Sequence, residues 1–432
     1  MKDKPRVSII TLGCAKNLVD SEFLAKQLNV NGYNVHHELV TTTETVIINT
    51  CGFINDAKEE SVETILNYAE AKNQGTIHNL YVMGCLSERF KNQLEEEIKE
   101  VDGFFGVDEQ KNLLKQLHLT YSQKYDKDRQ LATPQHYSYL KIAEGCNRKC
   151  SFCSIPLIRG RYKSEPIEKL YAESLLLSKQ GVKEINLIAQ DLSYYGYDIY
   201  GKQVLPELLT KLATIDNFHW IRLLYLYPDS FPFDVLEIMK ENKNICNYLD
   251  IPLQHINDKL LKNMRRGINR KDIYELIEHI RLKIPDITLR TTMMVGYPGE
   301  TERKFEELKS FVQEIEFDRL GVFEYSEEEG TYSEKNFKDS IPASVKQERA
   351  DELMQIQQEI SLKHNQSKIG KFFEVIVDRE DKEYYYSRSF ADAPDVDNEI
   401  LIPKKDKNLS QGNFYTVKIN DAYYYDLIGV AI

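Results

Sequence analysis

Short apolar, β-branched runs alternate with stretches of helical rhythm along the first part of the chain. Residues 7–12 (VSIITL), 46–50 (VIINT) and 80–83 (LYVM) read as strands. Residues 18–28 and 56–71 carry apolar side chains at helical spacing, with Val62, Ile65, Leu66 and Ala69 on one face of the second. An acidic helix is expected over 88–99. Strands that alternate with helices argue for a parallel sheet covered on both faces. This first domain is placed at residues 1–121, and the polar stretch 122–136 reads as a linker.

The alternation resumes over a longer span. Strands are expected at 138–143, 184–189, 220–225, 248–253, 288–295 and 319–325, with helices such as 167–180, 271–283 and 302–315 between them. Six βα units suit an open, partial (βα)6 barrel of the TIM type, in which chemistry sits at the C-terminal ends of the strands. Pro342 opens a long polar helix to about residue 368, and this second domain is placed at 137–364. Residues 365–432 change character. The runs 372–378, 383–390, 400–403, 414–420 and 423–432 are short, β-branched or aromatic, and separated by Gly, Asp and Asn. They predict a small antiparallel β-barrel of the oligonucleotide-binding type, so the fold class is α/β followed by that barrel.

Composition narrows the function classes. A chain of 432 residues exceeds what one hydrophobic core supports, and 42% hydrophobic with 29% charged residues is ordinary globular protein. No apolar run approaches the ~20 residues of a membrane span, and the first residues lack the apolar stretch of a signal peptide. A cytoplasmic protein with no membrane partner is therefore expected. The net charge of −12 argues against a general grip on phosphate backbones. Seven cysteines are too few and too scattered for a disulfide scaffold, which leaves ligands, nucleophiles or buried small hydrophobes.

The cysteine positions choose among these. Cys146, Cys150 and Cys153 form a C-x3-C-x2-C run directly after the first expected strand of the partial barrel. Three thiolates so close in sequence can hold three irons of a cubane cluster and leave the fourth open to a small molecule. The bland alternative is a zinc knuckle, but structural zinc takes four protein ligands and no further His or Cys follows at short spacing. Cys14, Cys51 and Cys85 each stand just beyond a predicted strand of the first domain. In a parallel sheet those strand ends share one edge, so three cysteines far apart in sequence can meet there. Any one alone reads as core packing; three at equivalent positions point to a second cluster. Cys246 belongs to neither set and reads as a core residue.

The C-x3-C-x2-C run, with aromatic Phe152 before its last cysteine, resembles the radical S-adenosylmethionine superfamily. That resemblance implies S-adenosylmethionine bound at the open iron and split to a 5′-deoxyadenosyl radical by an electron from the cluster. It also makes the loop Val295-Gly296-Tyr297-Pro298-Gly299-Glu300 similar to a cofactor-contacting glycine loop. Phe152, Gln190, Gly296 and Gly299 are then the expected S-adenosylmethionine contacts. Arg159, Arg161 and Gln190 follow barrel strands one and two and are candidates to touch cofactor or substrate, or equally read as surface charge and a strand-end cap. As a bare sequence feature the glycine loop is equally a tight turn opening a helix.

Two cysteine triplets followed by a small β-barrel resemble the methylthiotransferases of that superfamily over essentially the whole chain. The resemblance implies an N-terminal methylthiotransferase domain with an auxiliary 4Fe-4S cluster on Cys14, Cys51 and Cys85. It further implies a radical 4Fe-4S cluster on Cys146, Cys150 and Cys153, and a terminal TRAM domain. Branches of the family modify tRNA adenosine derivatives or an aspartate of a small-subunit ribosomal protein. The words Leu12-Gly13-Cys14-Ala15-Lys16-Asn17, Val19-Asp20-Ser21-Glu22 and Asn49-Thr50-Cys51-Gly52-Phe53-Ile54 are similar to the second branch. So are Ile251-Pro252-Leu253-Gln254-His255 and Tyr325-Ser326-Glu327-Glu328-Glu329-Gly330-Thr331, though related branches carry similar text. The Gln-Met pair and the Ser typical of the tRNA branch after its first and second cysteines are absent. Residues 365–432 hold 9 Lys and Arg against 12 Asp and Glu, which suits a basic ribosomal protein better than tRNA.

The acidic set Asp392, Asp395, Asp397 and Glu399 is thus expected to form a docking surface, with a plain solvated surface as the alternative. Tyr384–Tyr386 with Tyr423–Tyr425 are expected to form an aromatic contact face, unless strand alternation turns half of them to the core. The implied partners are a basic small-subunit ribosomal protein as substrate, rather than tRNA, and a reductant such as a flavodoxin or ferredoxin. The implied reaction adds a methylthio group to the aspartate β-carbon, whose unactivated C–H bond no side-chain base removes usefully. The competing reading from another class is an iron–sulfur electron-transfer or RNA-binding protein with structural clusters.

Overall fold

The computed structural model describes residues 4–38, 43–405 and 407–432. Two compact units result. One is Met1–Thr133 with Tyr139–Asn147 and Cys153–Leu177; the other is Pro134–Ser138 with Arg148–Phe152 and Ser178–Ile432.

In the first unit, strands β1 (Arg6–Thr11), β2 (Asn34–His36), β3 (Thr45–Thr50), β4 (Asn79–Gly84) and β5 (Gly103–Phe105) form a sheet in the order β2-β1-β3-β4-β5. Every pairing is parallel. Helices α1 (Ala15–Val30), α2 (Asn55–Asn73) and α3 (Cys85–Glu97) connect successive strands, and α4 (Gln110–Gln116) follows β5. Two cores follow: Val7, Ile9, Leu24, Leu28 and Ile47 pack on one face, and Val46, Ile48, Ile65, Leu80 and Val82 on the other. Alternate residues of β3 thus serve opposite layers, as strand geometry requires. The three-residue β2 and β5 are too short to announce themselves in the apolar pattern. The expected acidic helix starts three residues early, at Cys85 itself, with Gly84 as its N-cap.

The polar stretch after this sheet is held, not loose. Arg129 is fully buried; its Nη1 donates to Glu22 at 2.9 Å and its Nη2 to the Tyr139 carbonyl at 2.7 Å. Glu22 also accepts from the Ala132 amide at 2.8 Å.

Strand β6 (Tyr137–Lys141) breaks before a short ribbon of β7 (Ala143–Glu144) with β8 (Lys163–Ser164). The large sheet runs β13-β12-β11-β10-β9-β6, with β9 (Glu184–Ile188), β10 (Trp220–Leu223), β11 (Ile245–Asp250), β12 (Thr288–Val295) and β13 (Arg319–Glu324). The six expected strands are present, and β11 lies three residues earlier than its apolar run suggested. The helix Ala343–Gln366 leads to a closed barrel of β14 (Phe372–Glu380), β15 (Tyr384–Ser389), β16 (Ile400–Pro403), β17 (Phe414–Ala422) and β18 (Leu427–Ala431). Its order is β14-β15-β16-β18-β17, and Val375, Val377, Tyr385, Ile402, Val417 and Ile419 fill its core. Of the run expected as strand 423–432, Tyr423–Tyr425 form the turn instead.

The expected acidic docking surface is corrected at Asp392 and Asp397, whose side chains are buried in ion pairs, whereas Asp395 is exposed and Glu399 half-buried. Asp392 pairs with Arg319, and Asp397 accepts from Arg290 Nη1 at 2.9 Å and from the Tyr248 hydroxyl at 2.7 Å. The side chain of Asp397 is only 1% exposed. Asp395 receives the Tyr137 hydroxyl at 3.3 Å, and Glu399 pairs with Arg379 at 2.7 Å. Arg388 of β15 meanwhile reaches Glu184 at 2.7 Å, and Arg222 Nη1 donates to the Phe390 carbonyl at 2.5 Å. These charges join the small barrel to the N-terminal portions of the large sheet's strands, the end opposite to the expected chemistry. The tyrosines divide as well: Tyr385 is core, while Tyr423, Tyr424 and Tyr425 are 54%, 43% and 39% exposed.

Candidate active site

Cys14 is the N-cap of α1, Cys51 follows β3 directly, and Cys85 is the first residue of α3. All three leave the C-terminal ends of adjacent parallel strands, as the sequence predicted. Glycines let the turns close on each other. A methyl at Gly13, whose φ is +85°, would lie 2.6 Å from Cys51 Cβ and 2.8 Å from its Sγ. Gly52 likewise lies against the Cys85–Leu86 backbone, where a Cβ would stand 2.7 Å from Leu86 N. Ser61 holds the Cys51 turn by accepting from its amide at 3.0 Å and donating to its carbonyl at 2.9 Å.

The thiols are electrostatically coupled. Burial alone would raise Cys14, but Lys16, Arg159 and the amides of Asn17 and Lys16 bring it below its ordinary value. Burial pushes Cys51 up, and pushes Cys85 up to about 11 against the pull of Arg159. Cys14 adds to the rise at both, and Cys51 to that at Cys85. Burial and mutual repulsion favour the neutral thiols of Cys51 and Cys85, so ionising all three together calls for a cationic group among them. Among the described residues no three His, Cys, Asp or Glu side chains are arranged to hold a single metal ion. By donor count, three cysteines fall one short of the four protein ligands of structural zinc and match three irons of a cubane.

Residues outside the cysteine triplets surround this set. Asn17 donates to the Leu12 carbonyl at 2.9 Å and the Thr50 carbonyl at 3.0 Å. Arg159, expected near cofactor or substrate, is buried with its Nη2 3.3 Å from Cys85 Sγ and also bonded to Asn17 Oδ1. Its Nη1 meets Asp20 at 2.8 Å and Glu144 at 3.0 Å. Arg161 is exposed, and its carbonyl lies where a Cβ on Gly145 would be.

The other three cysteines, each half-buried, occupy the loop between β7 and the short helix Ile155–Ile158. Gly145, with φ +77°, precedes Cys146, whose amide donates to the Gly160 carbonyl at 3.2 Å. Within the second unit, Cys150 Sγ lies 3.3 Å from the Tyr227 hydroxyl and 3.3 Å from Arg266 Nη1. The Arg148 and Arg266 guanidinium groups lie 4.1 and 4.2 Å from the centre of the Tyr227 ring. Arg148 also donates to Asp191 and Asp229, both at 2.8 Å. Ser151 Oγ, Tyr297 OH and Ser333 Oγ form a closed ring of hydrogen bonds at 2.8, 2.8 and 3.0 Å. The Phe152 ring meets Tyr297 edge-on, with centroids 6.5 Å apart.

The glycine loop has partners of its own. The Gly296 amide donates to Glu300 Oε2 at 2.6 Å, and Arg349 reaches the same oxygen at 2.8 Å. His255 Nδ1 accepts the Ile256 and Asn257 amides, so its Nε2 carries the proton donated to Glu300 Oε1 at 3.1 Å. A Cβ at Gly296 would lie 2.3 Å from Lys346 Cγ, whereas one at Gly299 would meet nothing within 4 Å. Gln190 follows β9, half-buried, next to Asp191. Cys246 is buried in β11, as expected of a core residue.

A parallel partial barrel with a three-cysteine loop at its first strand defines the class, and residues 140–312 match the Radical SAM superfamily. Residues 6–106 match the Uncharacterized protein family UPF0004, and 369–432 the TRAM domain. The ribosomal protein uS12 methylthiotransferase RimO of Porphyromonas gingivalis is 52% identical over 98% of each chain. That of Parabacteroides distasonis is 53% identical over 99% of each chain. The chain belongs to this RimO family, and is thus a radical S-adenosylmethionine methylthiotransferase. In fold it is similar to the radical S-adenosylmethionine methyltransferase TsrM of Kitasatospora setae (TM-score 0.54, 13% identity, 73% of this chain and 72% of that one). It is also similar to the cobalamin-dependent enzyme OxsB (TM-score 0.53, 11% identity, 83% and 56%).

Proposed function

We propose that this chain attaches a methylthio group to the β-carbon of an aspartate in ribosomal protein uS12. The observation that carries this reading is the identity of about half of all residues with RimO enzymes along nearly the whole chain. When bound, two 4Fe-4S clusters and S-adenosylmethionine supply the radical that removes the β-hydrogen, the sulfur and the methyl group. Cys146, Cys150 and Cys153 hold the radical cluster, and Cys14, Cys51 and Cys85 the auxiliary one. Tyr227, Arg148 and Arg266 fix the loop at Cys150, while the Ser151–Tyr297–Ser333 ring fixes its next residue and orients Phe152. Gly296, Gly299 and Gln190 contact S-adenosylmethionine from strand ends of the large sheet. The reductant is a small electron carrier of the flavodoxin or ferredoxin kind, the compartment is the cytoplasm, and tRNA is not the substrate. No helix among the described residues is long and apolar enough to cross a membrane.

Iron content and product analysis test the division of labour. Anaerobically reconstituted protein should hold roughly eight irons, four per cubane, and the Cys146, Cys150, Cys153→Ala variant about half. The Cys14, Cys51, Cys85→Ala variant should still convert S-adenosylmethionine to 5′-deoxyadenosine yet form no methylthio product. Full iron in the first variant, or loss of cleavage in a folded second one, contradicts the assignment.

A further inference from the structure

Arg159 stands at the end of the segment that begins with Cys153, and its side chain is only 3% exposed. Two carboxylates, Asp20 and Glu144, receive its Nη1, and Lys141 pairs with the same two, at 2.6 Å to Glu144. Two cations and two carboxylates balance, so the guanidinium plane is fixed rather than free to swing. Its remaining edge is turned to the cysteines, where Nη2 faces Asn17 Oδ1 and Cys85 Sγ. Asn17 in turn holds the Leu12 and Thr50 carbonyls, the strand ends that precede Cys14 and Cys51. One Arg–Asn pair therefore touches the support of all three thiols. A residue needed only to neutralise Asp20 would have no reason to present an N–H to sulfur.

We propose that Arg159 is a positioning residue for the auxiliary cluster, whose Nη2–H group hydrogen-bonds the Cys85 thiolate and raises the cluster's reduction potential. The inference rests on the reading of Cys14, Cys51 and Cys85 as cluster ligands. The physical reason is that one-electron reduction makes the cluster and its thiolates more negative, and a fixed donor at sulfur stabilises that state.

The test uses full-length protein with Cys146, Cys150 and Cys153 replaced by Ala, so that only the auxiliary cluster remains. Its midpoint is read by electron paramagnetic resonance during reduction with dithionite. R159K keeps the charge but loses the planar fork. R159M combined with E144Q removes one charge of each sign, which protects the fold. With about four irons retained, the double variant should show a reduced-to-oxidised ratio about tenfold lower at a fixed potential, a midpoint about 59 mV more negative. R159K should shift in the same direction by less. An unchanged midpoint in both variants at full iron content overturns the inference and leaves the cluster assignment standing. A parent protein without iron overturns both.

Discussion

A methyl group at Gly84 would lie 2.4 Å from Asn49 Oδ1 and 2.6 Å from the Thr50 carbonyl, and the residue's φ of +101° is one that side chains rarely adopt. Gly84→Ala therefore combines backbone strain of about 1–3 kcal/mol with a clash that nothing flexible relieves. Gly75, with φ +75° and open space around it, has the strain alone. Denaturant unfolding should show Gly84→Ala clearly less stable than Gly75→Ala, and only the former should lose iron from the first cysteine set. Equal effects would mean that the turn before Cys85 is more pliant than its contacts imply. The cysteines themselves were legible in the sequence, because their spacing in one set and their strand-end placement in the other are properties of the chain as written. Arg159 was not. Its position after a barrel strand pointed toward cofactor or substrate, whereas its partners Asn17, Asp20 and Cys85 come from distant segments that no periodicity connects.

Elements were read more securely than their charges. The parallel sheet, the six barrel strands and the five-stranded barrel follow from runs long enough to carry a period, and only short pieces such as β2 and β5 escaped. The acidic surplus of the last domain was visible, but a count of charges does not say which are buried. Asp392 and Asp397 face Arg319 and Arg290 at the seam between small barrel and large sheet. Asp392→Asn would leave Arg319 buried without its partner, and the loss should be about 3–5 kcal/mol in unfolding experiments. A change under about 1 kcal/mol would place the pair among exposed ion pairs instead. The same seam predicts a pH dependence. Burial would raise the Asp392 and Asp378 carboxyls, but Arg319 and Lys368 at the first, and Arg388 and His136 at the second, hold both below the ordinary value. Carboxyls depressed in the folded state contribute stability in full above their unfolded pKa of about 3.9, and lose it as pH falls through the folded values. Unfolding free energy should fall as pH is lowered below about 4, and less steeply in Asp392→Asn than in the parent.

At the scale of the whole molecule, Cys14, Cys51 and Cys85 follow strands of the N-terminal parallel sheet, Cys146, Cys150 and Cys153 follow the short β7 of an antiparallel ribbon, and the small barrel packs on the N-terminal end of the large sheet's strands. The chemistry and the terminal barrel are thus built on separate ends of the large sheet. Nothing in the terminal barrel's buried acids explains which macromolecule is modified, so the claim of a ribosomal protein over tRNA rests on the family relationship and is tested by product. The direct measurement is mass spectrometry after incubating the reconstituted protein, reductant and S-adenosylmethionine with small ribosomal subunits in one reaction and bulk tRNA in another. The account predicts a methylthio group on one aspartate of uS12 and unmodified tRNA. A methylthioadenosine in tRNA with unmodified uS12 would contradict it.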